Sequence, residues 1–271
     1  MRLRASFNKD GGRLVLLLPA GLLFAFLFLP LLGLLFGTSG EEVRRALGSP
    51  LVGQALALSL STTLVSLVVI LVLGTPLAWL LACARGRLAK TIETLVELPI
   101  VVPPAVAGVA LLLAFGRQSP LAGWLLPEGG SVALSTFAVV LAQIFVAAPL
   151  YVQSAKSALC EVDADLVLVA RSFGASTLTV FLRVAVPLAR PGLIAGALLA
   201  WARALGEFGA TLMFAGNLPG RTQTLPLAIY TALESDLATA RVLSALLVGI
   251  AFALLLSVRA WSVRGTERRR A

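Results

Sequence analysis

Six stretches of this chain are each apolar over about the 20 residues that a helix needs to cross the hydrocarbon core of a bilayer. They cover 14–36, 56–82, 98–115, 134–152, 188–214 and 237–258. In lipid every backbone N–H and C=O must be bonded within the protein, so such stretches have to be helices. The expected fold class is all-α: a polytopic membrane protein with six transmembrane helices. Little soluble mass remains, because only 13% of the 271 residues are charged, against roughly 25% in soluble domains. The first stretch is long, carries Pro19 and Pro30 and has no small-residue cleavage site after it. It therefore reads as a span and not as a signal peptide.

Six crossings put both termini on one side of the membrane, and the basic residues say which. Arg2, Arg4, Lys9 and Arg13 precede the first span, and Arg85, Arg87 and Lys90 follow the second. Lys156, Arg171, Arg183 and Arg190 flank residues 161–187, and Arg259, Arg264, Arg268, Arg269 and Arg270 follow the last span. The opposite loops hold Arg44, Arg45, Arg117, Arg221 and Arg241. Positively charged loops stay in the cytosol, so both termini and the 161–187 segment are expected there. The same bias accounts for a pI near 10.9, and nucleic acid is not an expected partner. Cys83 and Cys160 both fall on that side, where a disulfide is not expected. The chain divides into residues 1–50 (cytosolic tail, first span and outer loop), 51–260 (five spans with the 161–187 insert) and 261–271 (a basic cytosolic tail).

The 161–187 insert is the one amphipathic segment that spanning a bilayer does not require. Asp165 is placed to cap a helix, with Asp163 adding favourable negative charge at that end. Leu166, Val169, Ala170 and Phe173 follow at i, i+3, i+4, i+7 and define an apolar face. Gly174 sits where a helix ends with positive φ. Ser176 can start a second short helix with Leu178, Phe181, Leu182 and Ala185 on one face. Pro187 and Pro191 are expected to bracket the start of the fifth span. From pattern alone the insert either docks a cytosolic partner or lies on lipid headgroups.

Other features also carry two readings. Pro99, Pro103 and Pro104 open the third span and mark either packing kinks or a helix broken beside a pathway. Arg203 and Glu207 are four apart and can pair on one helix face. Helical rise puts Arg203 about 20 Å beyond Arg190, well inside the bilayer. Ionisable groups at that depth face a bundle interior or a water-filled cavity, so the pair either ties helices together or belongs to a gate. Ser59, Thr62, Thr63 and Ser66 form a hydroxyl stripe on the second span, for helix packing or for contact with a passing anion. Thr211 joins the pathway candidates.

Two motifs carry a family resemblance. Gly174, then nine intervening residues, then Val184-Ala-Val-Pro187, resembles the loop by which ABC importer permeases dock their ATPase. Ala170 falls on the second alanine of that motif, while Leu168 stands at its glutamate position and Val169 at its first alanine. The resemblance implies a coupling loop comprising Glu161, Asp165, Leu168, Val169, Ala170, Arg171, Phe173, Gly174, Ala175 and Pro187. The run 206–230, from Gly-Glu-Phe-Gly-Ala-Thr through Ala-Gly-Asn-Leu-Pro-Gly-Arg-Thr-Gln-Thr-Leu-Pro-Leu-Ala-Ile-Tyr, resembles the molybdate-type permeases of the molybdate/sulfate group. So does 98–108.

That resemblance covers 52–258 and implies an oxyanion importer permease working by alternating access. The ion expected is molybdate, with sulfate, thiosulfate or tungstate as alternatives. Implied partners are a second copy, two cytosolic ATPases that bind ATP and Mg, an external oxyanion-binding protein and membrane lipid. Asn217, Pro219, Gly220 and Arg221 would meet the binding protein. The chain has no Gly-x4-Gly-Lys-Ser/Thr loop for ATP and no histidine, so no catalytic site, cofactor or metal is expected in it. A different class, an ion-coupled secondary transporter using Arg203 and Glu207, is the remaining alternative.

Overall fold

The computed structural model describes residues 12–117, 119 and 131–268, with only the backbone for 12–15 and 258–268. Arg2, Arg4, Lys9, Arg269 and Arg270 of the basic flanks lie outside the described residues, as does part of the 261–271 tail. The described residues are helical with no strand. In chain order the helices are α1 (Gly12–Phe36), α2 (Gly40–Leu47), α3 (Pro50–Cys83), α4 (Arg87–Val101), α5 (Pro104–Phe115) and α6 (Thr136–Cys160). Then come α7 (Ala164–Ser172), α8 (Thr177–Leu205), α9 (Gly209–Ala215), α10 (Leu225–Ser235) and α11 (Leu237–Arg268).

Helices α1, α3, α6, α8 and α11 are long and apolar enough to cross a membrane. The expected third span, 98–115, is not one rod. It is the junction of α4 and α5, which meet at 115°. The prolines are the cause. Pro103 disfavours helical backbone at Val102, which turns extended at ψ 127°, and Pro103 itself lies at ψ 138°. Pro104 then restarts a helix at its first position, where a missing N–H costs nothing. Counted as one bent span, the pair makes the sixth crossing.

The fifth span also departs from expectation. It begins at Thr177 and ends at Leu205, not over 188–214. The short second helix expected after Ser176 is the first part of this rod. Pro187 and Pro191 lie inside it, not at its start. A π turn at Phe181–Ala185 precedes Pro187, and such a widened turn absorbs the proline's missing N–H without breaking the helix. At the far end Gly206 closes the helix and the chain turns into α9.

Helix α6 is the centre of the bundle, with more than half of its apolar window buried between α3 and α8. Their shared core is rich in fully buried small residues: Ala78, Ala147, Ala155, Ala185, Ala200 and Ala204. Lipid is as apolar as a leucine core, so helices in a membrane gain from close backbone approach, and alanine permits it. Helices α10 and α11 pack on each other and against α2 and the start of α3.

Helix α1 has no buried residue in its 16–36 window. Its last turn is tied to α11 by Arg241, which donates to the Gly37 carbonyl and pairs with Glu42, both at 2.8 Å. Ser39 and Glu42 form a reciprocal capping box at the start of α2. The Ser39 backbone N–H, with help from Arg241, holds the Glu42 carboxyl below the usual carboxylate range.

Candidate functional site

The 161–187 corner closes one end of the bundle. Asp163, not Asp165, caps α7, its carboxylate accepting the Asp165 N–H at 2.9 Å. Asp165 falls in the first turn, where its charge still suits the helix dipole. Gly174 has φ +80°. Its N–H bonds the Arg171 carbonyl at 2.9 Å and the Ala175 N–H bonds the Ala170 carbonyl at 3.1 Å. This pair of bonds is the Schellman ending that a glycine makes possible.

The faces of α7 differ from the sequence expectation. Val167 and Ala170 pack on the core, with Val162 and Ala175 beside them. Leu166, Leu168 and Val169 are exposed, and Phe173 is 88% exposed. Glu161, Asp165, Arg171, Gly174 and Pro187 are exposed as well. The expected apolar face is thus split: Ala170 packs inward, while Leu166, Val169 and Phe173 are free to meet a partner. The face expected in the next segment is split as well, with Ala185 buried and Phe181 on the core while Leu178 and Leu182 are exposed. Phe181 packs on Trp79 of α3, ring centroids 5.8 Å apart. The corner is thereby keyed to α3 and continuous with α8. Cys83 and Cys160, at the adjacent ends of α3 and α6, are free and exposed.

At the other end of α8 lies the break. Arg203 Nη1 donates to Glu207 Oε2 at 2.8 Å, so the expected pair forms. Glu207, however, sits beyond the helix end. Its second oxygen accepts the Ala210 N–H at 2.9 Å and so caps α9. Glu207 is 1% exposed and Arg203 34%. The guanidinium borders a small pocket of about 90 Å³ at the α4–α5 bend, lined also by Pro99, Ile100, Val102, Pro104, Val146 and Leu150. Thr211 is fully buried and its hydroxyl has no partner.

The hydroxyl stripe is buried and committed to other helices. Ser66 donates to Gln143 at 2.9 Å, and Gln143 donates to Thr62 at 3.1 Å. Trp201 donates to Thr63 at 3.0 Å, and the Leu225 N–H to Ser59 at 2.7 Å. Three separate segments, from α6, α8 and the start of α10, converge on one face of α3. Gln143 and Trp201 escaped the sequence reading, although a lone amide in an apolar span is itself a signal. Replacing Gln143 with leucine removes two interhelical bonds. Thr62 and Ser66 keep bonds to carbonyls of their own helix, so the expected loss is about 1 kcal/mol, in line with membrane hydrogen bonds generally. Thermal unfolding of the purified protein in detergent checks this: the midpoint should fall by a few degrees and the assembly should survive.

The loop after α9 is only partly a surface. Pro219, Gly220 and Arg221 are exposed, whereas Thr222, Gln223 and Thr224 are buried. Asn217 is half-buried and braces the loop, donating to Thr231 at 2.8 Å and accepting from Gln223 at 2.9 Å.

A bundle of apolar helices long enough to cross a membrane, with a capped corner at one end and a broken helix beside an ion pair, defines a polytopic membrane protein. The family of binding-protein-dependent transport system inner membrane components matches residues 74–271, and this chain belongs to it. It is accordingly a multi-pass inner membrane protein and a transport component. Within the family it is similar to the molybdenum transport system permease protein ModB of Mycobacterium tuberculosis, 43% identical over 93% of this chain and 96% of that one. The molybdenum transport permease ModB of Escherichia coli is 35% identical over 80% and 95% of the two chains. In three dimensions the chain resembles a bacterial ABC transporter that imports alginate, with TM-score 0.75, 17% identity and coverage of 97% and 99%. It also resembles the MetNI methionine ABC transporter, with TM-score 0.62, 22% identity and coverage of 78% and 96%.

Proposed function

We propose that this chain is the membrane-spanning subunit of an ATP-driven ABC importer of molybdate. The observation that carries the mechanism is the continuity of α8: one rod joins the 161–187 corner to the Arg203–Glu207 break. Motion imposed at the start of α8, where the corner joins it, reaches the break along a single helix. Two copies of the chain would enclose the pathway, with the corner facing the cytosol. Two ATPases, holding ATP and Mg, would grip the corners, and an oxyanion-binding protein would meet Pro219, Gly220 and Arg221 outside. The permease itself performs no chemistry. Nucleotide and anion act by favouring one of two orientations of the spans.

Molybdate is chosen on sequence likeness to the molybdenum transport permeases over most of the chain. Sulfate, thiosulfate and tungstate are the alternatives. Family membership weighs against an ion-coupled secondary transporter. The test is uptake of labelled molybdate into proteoliposomes holding permease and ATPase, with binding protein supplied outside. Uptake should require both ATP and the binding protein. Uptake driven by an ion gradient without the ATPase would sink the proposal, and uptake of sulfate in preference to molybdate would change the ion.

A further inference from the structure

The Arg203 side chain is in an unusual position for a guanidinium inside a membrane. It lies in the last turn of α8, which ends at Leu205, about 20 Å along the helix from Arg190, and it is 34% exposed. A guanidinium there avoids hydrocarbon, so this side of the bundle looks onto water, headgroups or another chain. Among the described residues Glu207 is its hydrogen-bonding partner, through Nη1 alone. Arg203 also lines the pocket at the α4–α5 bend, and Glu207 leaves the other N–H groups of its fork untaken.

That pocket, about 90 Å³, has room for a ligand of a few heavy atoms, since about 10–15 Å³ of such space already holds a water. Val102, Pro104, Val146 and Leu150 bring no side-chain donor to it, and a proline brings no backbone donor either. Arg203 is the source of N–H groups there, in surroundings apolar enough to strengthen each bond. A guanidinium fork matches two oxygens of a tetrahedral anion. Glu207 does not have to leave to make room, because its second oxygen is anchored on the Ala210 N–H. Its negative charge cancels most of the pull that a bare arginine would exert on a dianion.

We propose that an oxyanion in transit takes the free edge of the Arg203 guanidinium at the helix break, while Glu207 holds the opposite edge and keeps the contact weak enough to release. The proposal rests on the oxyanion-importer reading above and adds to it a contact site and a reason for the acid. Removing the acid should tighten the site, and removing both charges should abolish it.

Equilibrium binding of labelled molybdate to the permease–ATPase complex in nanodiscs, without binding protein, tests this directly. Glu207→Gln should bind at least tenfold more tightly than the unmodified complex, and Arg203→Gln/Glu207→Gln should lose that gain. Equal binding by the two variants overturns the proposal, since a purely structural pair would change neither. Uptake supplies the second arm. The double variant leaves no unpaired buried charge, so it should still assemble with the ATPase, yet take up molybdate at least tenfold more slowly. Uptake at the unmodified rate overturns the proposal even if Glu207→Gln does not assemble. An unmodified complex that takes up no molybdate under ATP overturns the importer reading itself, which separates the two failures.

Discussion

Gly108→Leu is expected to prevent assembly of a stable bundle. Helix α5 crosses α9 so closely that even a β-carbon at 108 would lie 2.6 Å from the Met213 Cβ, 2.8 Å from the Ala210 carbonyl oxygen and 3.0 Å from the Ala210 Cα. Two of these are backbone atoms, so no side-chain rotation clears them. The two helices would have to part, exposing the cluster of Ala107, Leu111, Ala210 and Phe214 and separating the Phe115 and Phe214 rings, now 6.5 Å apart. Overpacking a core costs about 1–3 kcal/mol where side chains can yield, and here the cost should exceed that range. Size-exclusion profiles and thermal unfolding in detergent measure it. Gly108→Ala should already be destabilised, because the clash begins at the β-carbon. A Gly108→Leu protein that elutes and melts like the unmodified one would mean that α5 and α9 do not touch this way.

Gly174→Val should leave the bundle intact and cost it the ATPase. Nothing lies within 4 Å of a β-carbon at 174, so no clash arises. The penalty is in the backbone: at φ +80° a β-branched residue is a strong outlier, at about 1–2 kcal/mol. The chain relieves that strain by shifting the α7–α8 corner, which re-aims the exposed Phe173. Co-purification of the ATPase should fall about tenfold or more while the thermal midpoint moves little. Unchanged co-purification would remove the corner as the docking surface.

Local backbone features were legible in the sequence wherever one or two residues decide the outcome. The prolines at 103 and 104 marked the break in the third span, although not its 115° bend. Gly174 marked the end of α7, and the i, i+4 spacing marked the Arg203–Glu207 pair. Faces were not legible in the same way. Leu166, Val169, Ala170 and Phe173 have helical spacing and looked like one face, yet Ala170 packs inward while the other three are exposed. The periodicity groups apolar residues, but does not say where the covered edge of the group falls. Val167 and Ala170 won the inward position because small or branched residues fit against the alanine-rich core of α3, α6 and α8.

The sequence by itself determined that the chain lives in lipid, that its third span carries helix-breaking prolines, that a glycine ends α7, and that an acid and a base stand one helical turn apart near the end of α8. Those properties depend on neighbours within about one helical turn. Only the tertiary structure decided that α8 runs unbroken from Thr177 to Leu205, that Glu207 caps α9 and that the Ser59–Ser66 stripe is consumed by Gln143, Trp201 and Leu225. It also decided that Arg203 borders a pocket at a bend nearly a hundred residues earlier in the chain. Each of these joins segments far apart in sequence, and burial and hydrogen-bond partnership exist only once those segments have packed.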